Sequence, residues 1–393
     1  MNFEPTRDAG LERLQAFLPS AGKTYRDRRN FDLGPGERGN VSCLSPWLRH
    51  RLLTEREVVE AVLARHSLQT ADAFIREVFW RTYWKGWLEL RPTVWKRYCE
   101  SRDRALDSLE DNPALKRDIA AAIAGRTGIQ GFDDWTSELV ATGYLHNHAR
   151  MWFASIWIFT LRLPWEIGAD FFIRHLMDGD AASNTLSWRW VAGLQTRGKH
   201  YLATPENIER FTEGRFRPKG LVTDAEPLTD APFPEPLPLA APERLKAEPS
   251  FLLITDEDCV PETLTSHAPE IIGSGVLPPP ARSPLPMGEK ARAFQIGALA
   301  DAAARNGAEA SGGDDVFERV VASGARQVVT AHATVGPARD RLSALKTRLD
   351  AEGIALIQVR RSWDEAAWPY ATKGFFPFKE KIPELIRAAG IAR

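Results

Sequence analysis

His146-Asn147-His148-Ala149-Arg150-Met151, then Asp178-Gly179-Asp180-Ala181-Ala182-Ser183-Asn184, then Trp188-Arg189-Trp190. Within residues 144–190, carboxylates, amides and indoles recur in a fixed order along an almost wholly apolar helical region. Polar groups are costly to bury unless something pairs with them, so this pattern points to a ligand. On a helix over 145–159, Asn147, Arg150 and Met151 fall at i, i+3 and i+4 and share a face. His146 and His148 are two apart and point to different faces, so no metal site is expected from them. Asp178 and Asp180 stand at a helix break, where they can accept hydrogen bonds from a ligand, cap the following helix or bind a cation.

Composition limits what the rest can be. With 393 residues, 44% hydrophobic and 26% charged, the chain has the make-up of a soluble globular protein with room for two domains. Cys43, Cys99 and Cys259 are scattered without a CxxC, which excludes a disulfide framework or a four-cysteine metal site and suits free thiols in a reducing cytoplasm. The N-terminus has no basic stretch followed by an apolar core, so export is not expected. The most apolar run, residues 151–161, is too short for a membrane span and is followed by Arg162 and Pro164. A cytoplasmic monomer without membrane contact is the expectation. Residues 1–219 hold 32 Lys+Arg against 28 Asp+Glu, far short of the bias of a dedicated nucleic-acid domain.

Upstream, residues 10–18 suit a short amphipathic helix, and residues 34–40 a loop. Ser45 is a plausible N-cap before Pro46, and Thr54-Glu55-Arg56-Glu57 resembles a capping box. Residues 70–90 form a helical stretch in which Trp80, Trp84 and Trp87 share one face; such a stripe is more often core than recognition surface. Glu77 and Arg81, at i and i+4, are expected to form a surface ion pair worth about 0.3 kcal/mol. The glycines of residues 125–131 match neither a P-loop nor GxGxxG. Residues 218–249 are Pro-rich, with Pro232, Pro234, Pro236 and Pro238 at alternate positions, and mark a linker between domains 1–217 and 250–393. Beyond it, strands at 251–255, 327–330 and 354–359 alternate with helices at 291–306, 314–323 and 339–352, while 270–288 suits a Gly/Pro/Ser loop. That alternation predicts a doubly wound parallel sheet. Residues 331–337, at a strand end, are either a ligand site or a structural turn.

Residues 25–217 resemble the FAD-binding domain of the cryptochrome/DNA photolyase family. The segments that carry the resemblance are Ser42-Cys43-Leu44-Ser45-Pro46, Glu77-Val78-Phe79-Trp80-Arg81, Thr127-Gly128, residues 146–151, and Asp178-Gly179-Asp180 followed by Asn184, Trp188 and Trp190. The fold it implies is mixed: an N-terminal all-α FAD domain followed by a C-terminal α/β, Rossmann-like domain. Because the family's α/β domain ordinarily comes first, the chain reads as a circular permutation.

The resemblance implies a role for each matched position. Tyr25, Ser42, Leu44 and Ser45 would hold the FAD phosphates; Arg81 and Asn147 would border the isoalloxazine and diphosphate. Arg150 would pair with Asp178, Asp180 would contact the flavin or ribose edge, and Asn184 would face flavin N5. Trp188 and Trp165 match the proximal and middle members of the family's electron-transfer chain; the outer one falls near Leu109, for which Trp95 or Trp135 could substitute. Glu77, Trp80, Met151 and Trp190 resemble the pocket in which a flipped pyrimidine dimer is stacked and split by an electron from the flavin. Two departures stand on the DNA side: His148 replaces a usual arginine, and residues 194–201 are unlike the family's segment there. The implied function is blue-light repair of cyclobutane pyrimidine dimers in UV-damaged DNA. The alternative is a cryptochrome-like photoreceptor that signals to a protein partner through flavin photoreduction. The α/β domain is where family members hold an antenna chromophore.

Overall fold

The computed structural model describes residues 3–264, 270–308 and 315–391. Its first half is helical: α1 (Arg7–Phe17), α2 (Lys23–Arg28), α3 (Ser45–Arg49), α4 (Glu55–Leu63), α5 (Leu68–Glu89), α6 (Pro92–Asp107), α7 (Pro113–Ile123), α8 (Phe132–Thr142), α9 (Asn147–Ser155), α10 (Trp165–His175), α11 (Ala181–Val191) and α12 (Pro205–Phe211). Local chemistry starts several of them. Thr54 Oγ1 accepts the Glu57 N–H while the Glu57 carboxylate accepts the Thr54 N–H, a complete capping box. Ser45 does not cap α3: Leu44 is already helical, and Ser45 is the first residue of the helix. The turn that permits this is made by Cys43, at φ 55°. After α9 the chain widens into a π-helical turn, Ile156–Thr160, rather than continuing as one α-helix.

Residues 218–249 form no helix or strand but are pinned along their length. Asp230 pairs with Arg189 at 2.8 Å, the Leu237 N–H donates to the Leu90 carbonyl at 2.8 Å, and Arg360 donates to the Ala240 carbonyl at 2.6 Å.

The second half holds strands β1 (Ser250–Ile254), β2 (Ile271–Val276), β3 (Gln327–Ala331) and β4 (Ala355–Val359), all parallel, in the order β2-β1-β3-β4. Its helices are α13 (Glu289–Arg305), α14 (Asp315–Ser323), α15 (Pro337–Ala351), α16 (Ser362–Ala367), α17 (Phe375–Lys379) and α18 (Ile382–Ala388). β2 corrects the loop expected over 270–288. Its Gly273 and Gly275 hide the strand signal, yet they are needed: a Cβ there would meet the Phe251 ring at 2.9 and 3.1 Å. Phe251, Leu253 and Val328 pack beneath α14 and α15 with Val316, Val320, Leu342 and Leu349. Leu252 and Ile254, on the opposite face, join the core of the helical half.

The sheet winds outward in both directions from the β1–β3 pair, and the crevice beyond their carboxyl ends is where such sheets usually bind ligands. Here the helical half fills it. Arg49 pairs with Glu257 at 2.7 Å, and Arg51, in the left-handed region at φ 47°, pairs with Asp364 at 2.6 Å and Glu55 at 3.2 Å. Residues 331–337 form a docking turn rather than an open site. The Glu89 carboxylate at the end of α5, 4% exposed, accepts from the Val335 N–H at 2.7 Å, from Arg339 at 2.5 Å and from His332 at 3.3 Å. Burial would raise this carboxyl, but the His332 hydrogen bond and the Arg339 charge outweigh it and bring it down to about 2. A depressed carboxyl stabilises the fold above its unfolded pKa of about 4.5 and loses that contribution as pH falls through 2. Glu89→Gln is therefore expected to cost about 3 kcal/mol at neutral pH and to flatten the acid limb between about pH 4.5 and 2, read by urea unfolding across pH.

Candidate functional site

Helices α5, α9 and α11 pack together, and the break before α11 organises the side chains among them. Asp180 Oδ1 caps α11, accepting the Ala182 and Ser183 N–H groups at 2.9 and 2.8 Å, while Oδ2 accepts from Arg81 at 2.9 Å. Burial would raise this carboxyl, but the charges of Arg81, Lys85 and Arg49 and the Ser183 N–H hold it far below the usual range. Asp178 is instead clasped by Arg150 through two bonds of 3.0 and 2.8 Å. Between them Gly179 has no room for a side chain, since a Cβ would lie 2.9 Å from the Ile173 carbonyl.

The expected Glu77–Arg81 surface pair does not form. Arg81 turns inward to Asp180, and Glu77 pairs with Arg29 from the segment after α2. A buried, desolvated carboxylate attracts a guanidinium more strongly than a solvated one a turn away. Asn184 is buried, with its amide donating to the Ala169 carbonyl at 2.8 Å. Asn147 is exposed, and its amide lies 4.0 Å from the Met151 sulfur. Tyr25 is buried edge-on against Phe17 and Phe74, and the backbone at Ser42 is held by Arg13 at 2.6 Å. Ser42 and Ser45 are half-buried, with Leu44 fully buried between them.

Trp80 is half-buried and stacks on Phe375 from α17, with centroids 3.6 Å apart and planes at 12°. Trp190 is half-buried and stacks on Tyr201 at 5.9 Å. Trp188 is buried and edge-on to Phe172 at 5.1 Å and Trp157 at 6.3 Å. Trp165 leans on Tyr98 at 5.6 Å, and Tyr98 on Trp95 at 5.3 Å. Of the two substitutes for Leu109, Trp95 thus lies in line with Trp165. Trp135 belongs to a separate cluster, stacked on Trp152 and bonded to Asp32. Tyr98, Phe375 and Tyr201 are the aromatic neighbours that sequence reasoning missed; no spacing pattern marks them, because each is brought in by a different element.

His146 and His148 lie side by side, their rings 5.8 Å apart. Burial lowers both to about 4, so His148 is uncharged at neutral pH. Among the described residues no group of three or more His, Cys, Asp or Glu is placed to hold a metal ion, and no helix is long and apolar enough to cross a membrane.

The residues fit FAD. Arg81 Nε and Ser183 Oγ, at the start of α11, and Trp188 Nε1, about two turns further along it, are buried without a protein hydrogen-bond partner. Guanidinium, hydroxyl and indole N–H groups of this kind suit a flavin's polar edge and a diphosphate. Arg81, Asn147 and Asn184 are the side chains that would border the flavin, with Ser42 and Ser45 on the phosphate side. Asp180→Ala removes the cap of α11 and the carboxylate that pairs with Arg81 at 2.9 Å. It is expected to cost about 3 kcal/mol in thermal unfolding and to leave the purified protein depleted of flavin absorbance.

Comparison with known proteins finds similarity over the same part of the chain. The family model described as the FAD binding domain of DNA photolyase matches residues 74–214. A deoxyribodipyrimidine photo-lyase of Streptomyces griseus is 32% identical over 190 residues, covering 48% of this chain and 39% of that one. A counterpart from Thermus thermophilus is 34% identical over 191 residues, covering 49% and 43%. The solved structure of a bacterial class III photolyase from Agrobacterium tumefaciens is 25% identical, covering 53% of this chain and 43% of that one at a TM-score of 0.41. The chain thus spans about two fifths of the length of the curated relatives it matches. The clasped Asp178, the capping Asp180 and the indoles of α11 all lie inside the matched span, so residues 74–214 carry a photolyase-type FAD-binding domain.

Proposed function

We propose that this protein is a light-driven photolyase that splits cyclobutane pyrimidine dimers in UV-damaged DNA. One observation carries the reading. Glu77, Trp80, Met151 and Trp190, from three different helices, all keep solvent-facing surface, whereas their chain neighbours Val78, Phe79, Trp152 and Val191 are buried. Aromatic and carboxylate surface left open to solvent on three helices suits contact with an extruded base pair better than a packed core does. Held by Arg81, Asn147, Asn184, Ser42 and Ser45, reduced FAD would supply one-electron chemistry that is redox-neutral overall when the dimer is split. The chain's own part is to hold the dimer. The Trp80 and Trp190 indoles offer stacking surface to its rings, Met151 fills the apolar gap, and Glu77, oriented by Arg29, accepts a pyrimidine N–H.

A second reading, a cryptochrome-like photoreceptor signalling to a protein partner, draws support from His148, uncharged where a DNA-contacting arginine is usual, and from Leu109. Blue light on the FAD-loaded, reduced protein with a dimer-containing oligonucleotide separates the two. Catalytic restoration of paired thymines supports repair; photoreduction of the flavin without restoration supports the photoreceptor. If repair holds, Trp80→Ala and Trp190→Ala are each expected to weaken dimer binding about 10-fold, measured by fluorescence anisotropy in the dark.

A further inference from the structure

We infer that Phe375, supplied by the α/β half, is a positioning residue that backs the Trp80 indole and presents its open side to a DNA base; this rests on the photolyase reading above. The segment leading to Phe375 is lashed along α5. Trp363 Nε1 donates to Thr82 Oγ1 at 2.9 Å, the Tyr83 hydroxyl to the Lys373 carbonyl at 2.7 Å, and Arg91 to the Thr372 carbonyl at 2.8 Å. Gly86 makes room for the passage, since a Cβ there would sit 2.6 Å from the Trp368 ring. Phe375 is then fixed between Trp80, stacked at 3.6 Å, and Tyr83 and Phe378, at 5.5 and 5.9 Å.

The exposures give the orientation. Phe375 is 6% exposed and belongs to the core, while Trp80 keeps solvent-facing surface; with Tyr83 edge-on at 5.6 Å and Trp84 tilted at 5.2 Å, Phe375 is the ring stacked parallel on the indole. A displaceable plug would be open to water itself, as the neighbouring Phe376 is at 79%. Parallel stacking from behind leaves the indole no room to tilt away when a base arrives, and a preorganised platform loses less on binding.

The test uses the full-length, FAD-loaded protein in the dark and a single-stranded oligonucleotide with one thymine cyclobutane dimer, against the same strand undamaged. Phe375→Leu keeps apolar bulk but removes the ring; Phe375→Tyr keeps the ring. Phe375→Leu is expected to lose about 2- to 10-fold in preference for the dimer, with flavin content and undamaged-strand affinity unchanged, and Phe375→Tyr to remain within about twofold of wild type. Equal preference in the Leu variant, showing that bulk alone suffices, overturns the inference; so does tighter dimer binding by that variant, the mark of a plug. If wild type itself shows no preference for the dimer, the photolyase reading fails and the inference with it. Wild-type preference retained in both variants defeats the inference alone.

Discussion

The fold depends on a buried ionic seam between its two halves. Arg49, Arg51, Arg81 and Lys85 with Glu55 and Asp180 come from the helical half; Asp256, Glu257, Asp258 and Asp364 with Arg282 and Arg361 come from the α/β half. The helical half thus contributes four cations and two carboxylates, the α/β half the reverse. Neither set could be buried alone, because an unpaired interior charge costs several kcal/mol; together they balance. The stress of the arrangement shows in its cations. Burial, then the neighbouring charge of Arg81, lowers Lys85, and burial followed by the Arg49 charge brings Arg282 down to about 10.

The same seam reaches the start of α11. Asp180 is at once a member of the ionic network and the cap of α11, so the helix that carries Asn184, Trp188 and Trp190 begins where the two halves meet. Arg49 Nε also donates to the Gly179 carbonyl at 3.0 Å, tying the break to the α3 end of the network. Any loosening of the seam would be felt first at the start of α11. The crevice at the strand ends, where a sheet of this topology would ordinarily take a ligand, is used for this docking through Glu257, Asp364 and the Glu89-bound turn.

The half-buried indoles likewise have composite surroundings. Trp80 on α5 and Trp190 on α11 are each stacked on a ring from elsewhere, Phe375 from the C-terminal region and Tyr201 from the segment after α11. Half-buried His148, on α9, is lowered to about 4 by desolvation and is uncharged at neutral pH.

By itself the sequence determined the helices, the parallel α/β half and the Thr54 capping box, because these rest on local periodicity and capping. The FAD domain and the Asp178–Arg150 clasp were legible only through the family resemblance of the ordered motifs. Partner choice was not. Glu77 and Arg81 share a helix face, yet each pairs with a residue distant in the chain, since burial makes a remote desolvated carboxylate the better partner. β2 was hidden by glycines whose purpose appears only when Phe251 lies across them. Only the tertiary structure decided that the carboxyl edge of the sheet becomes a charged dock and that Phe375 backs Trp80, because long-range burial sets the strength of an ion pair and the face an aromatic ring leaves open, and spacing along the chain carries neither.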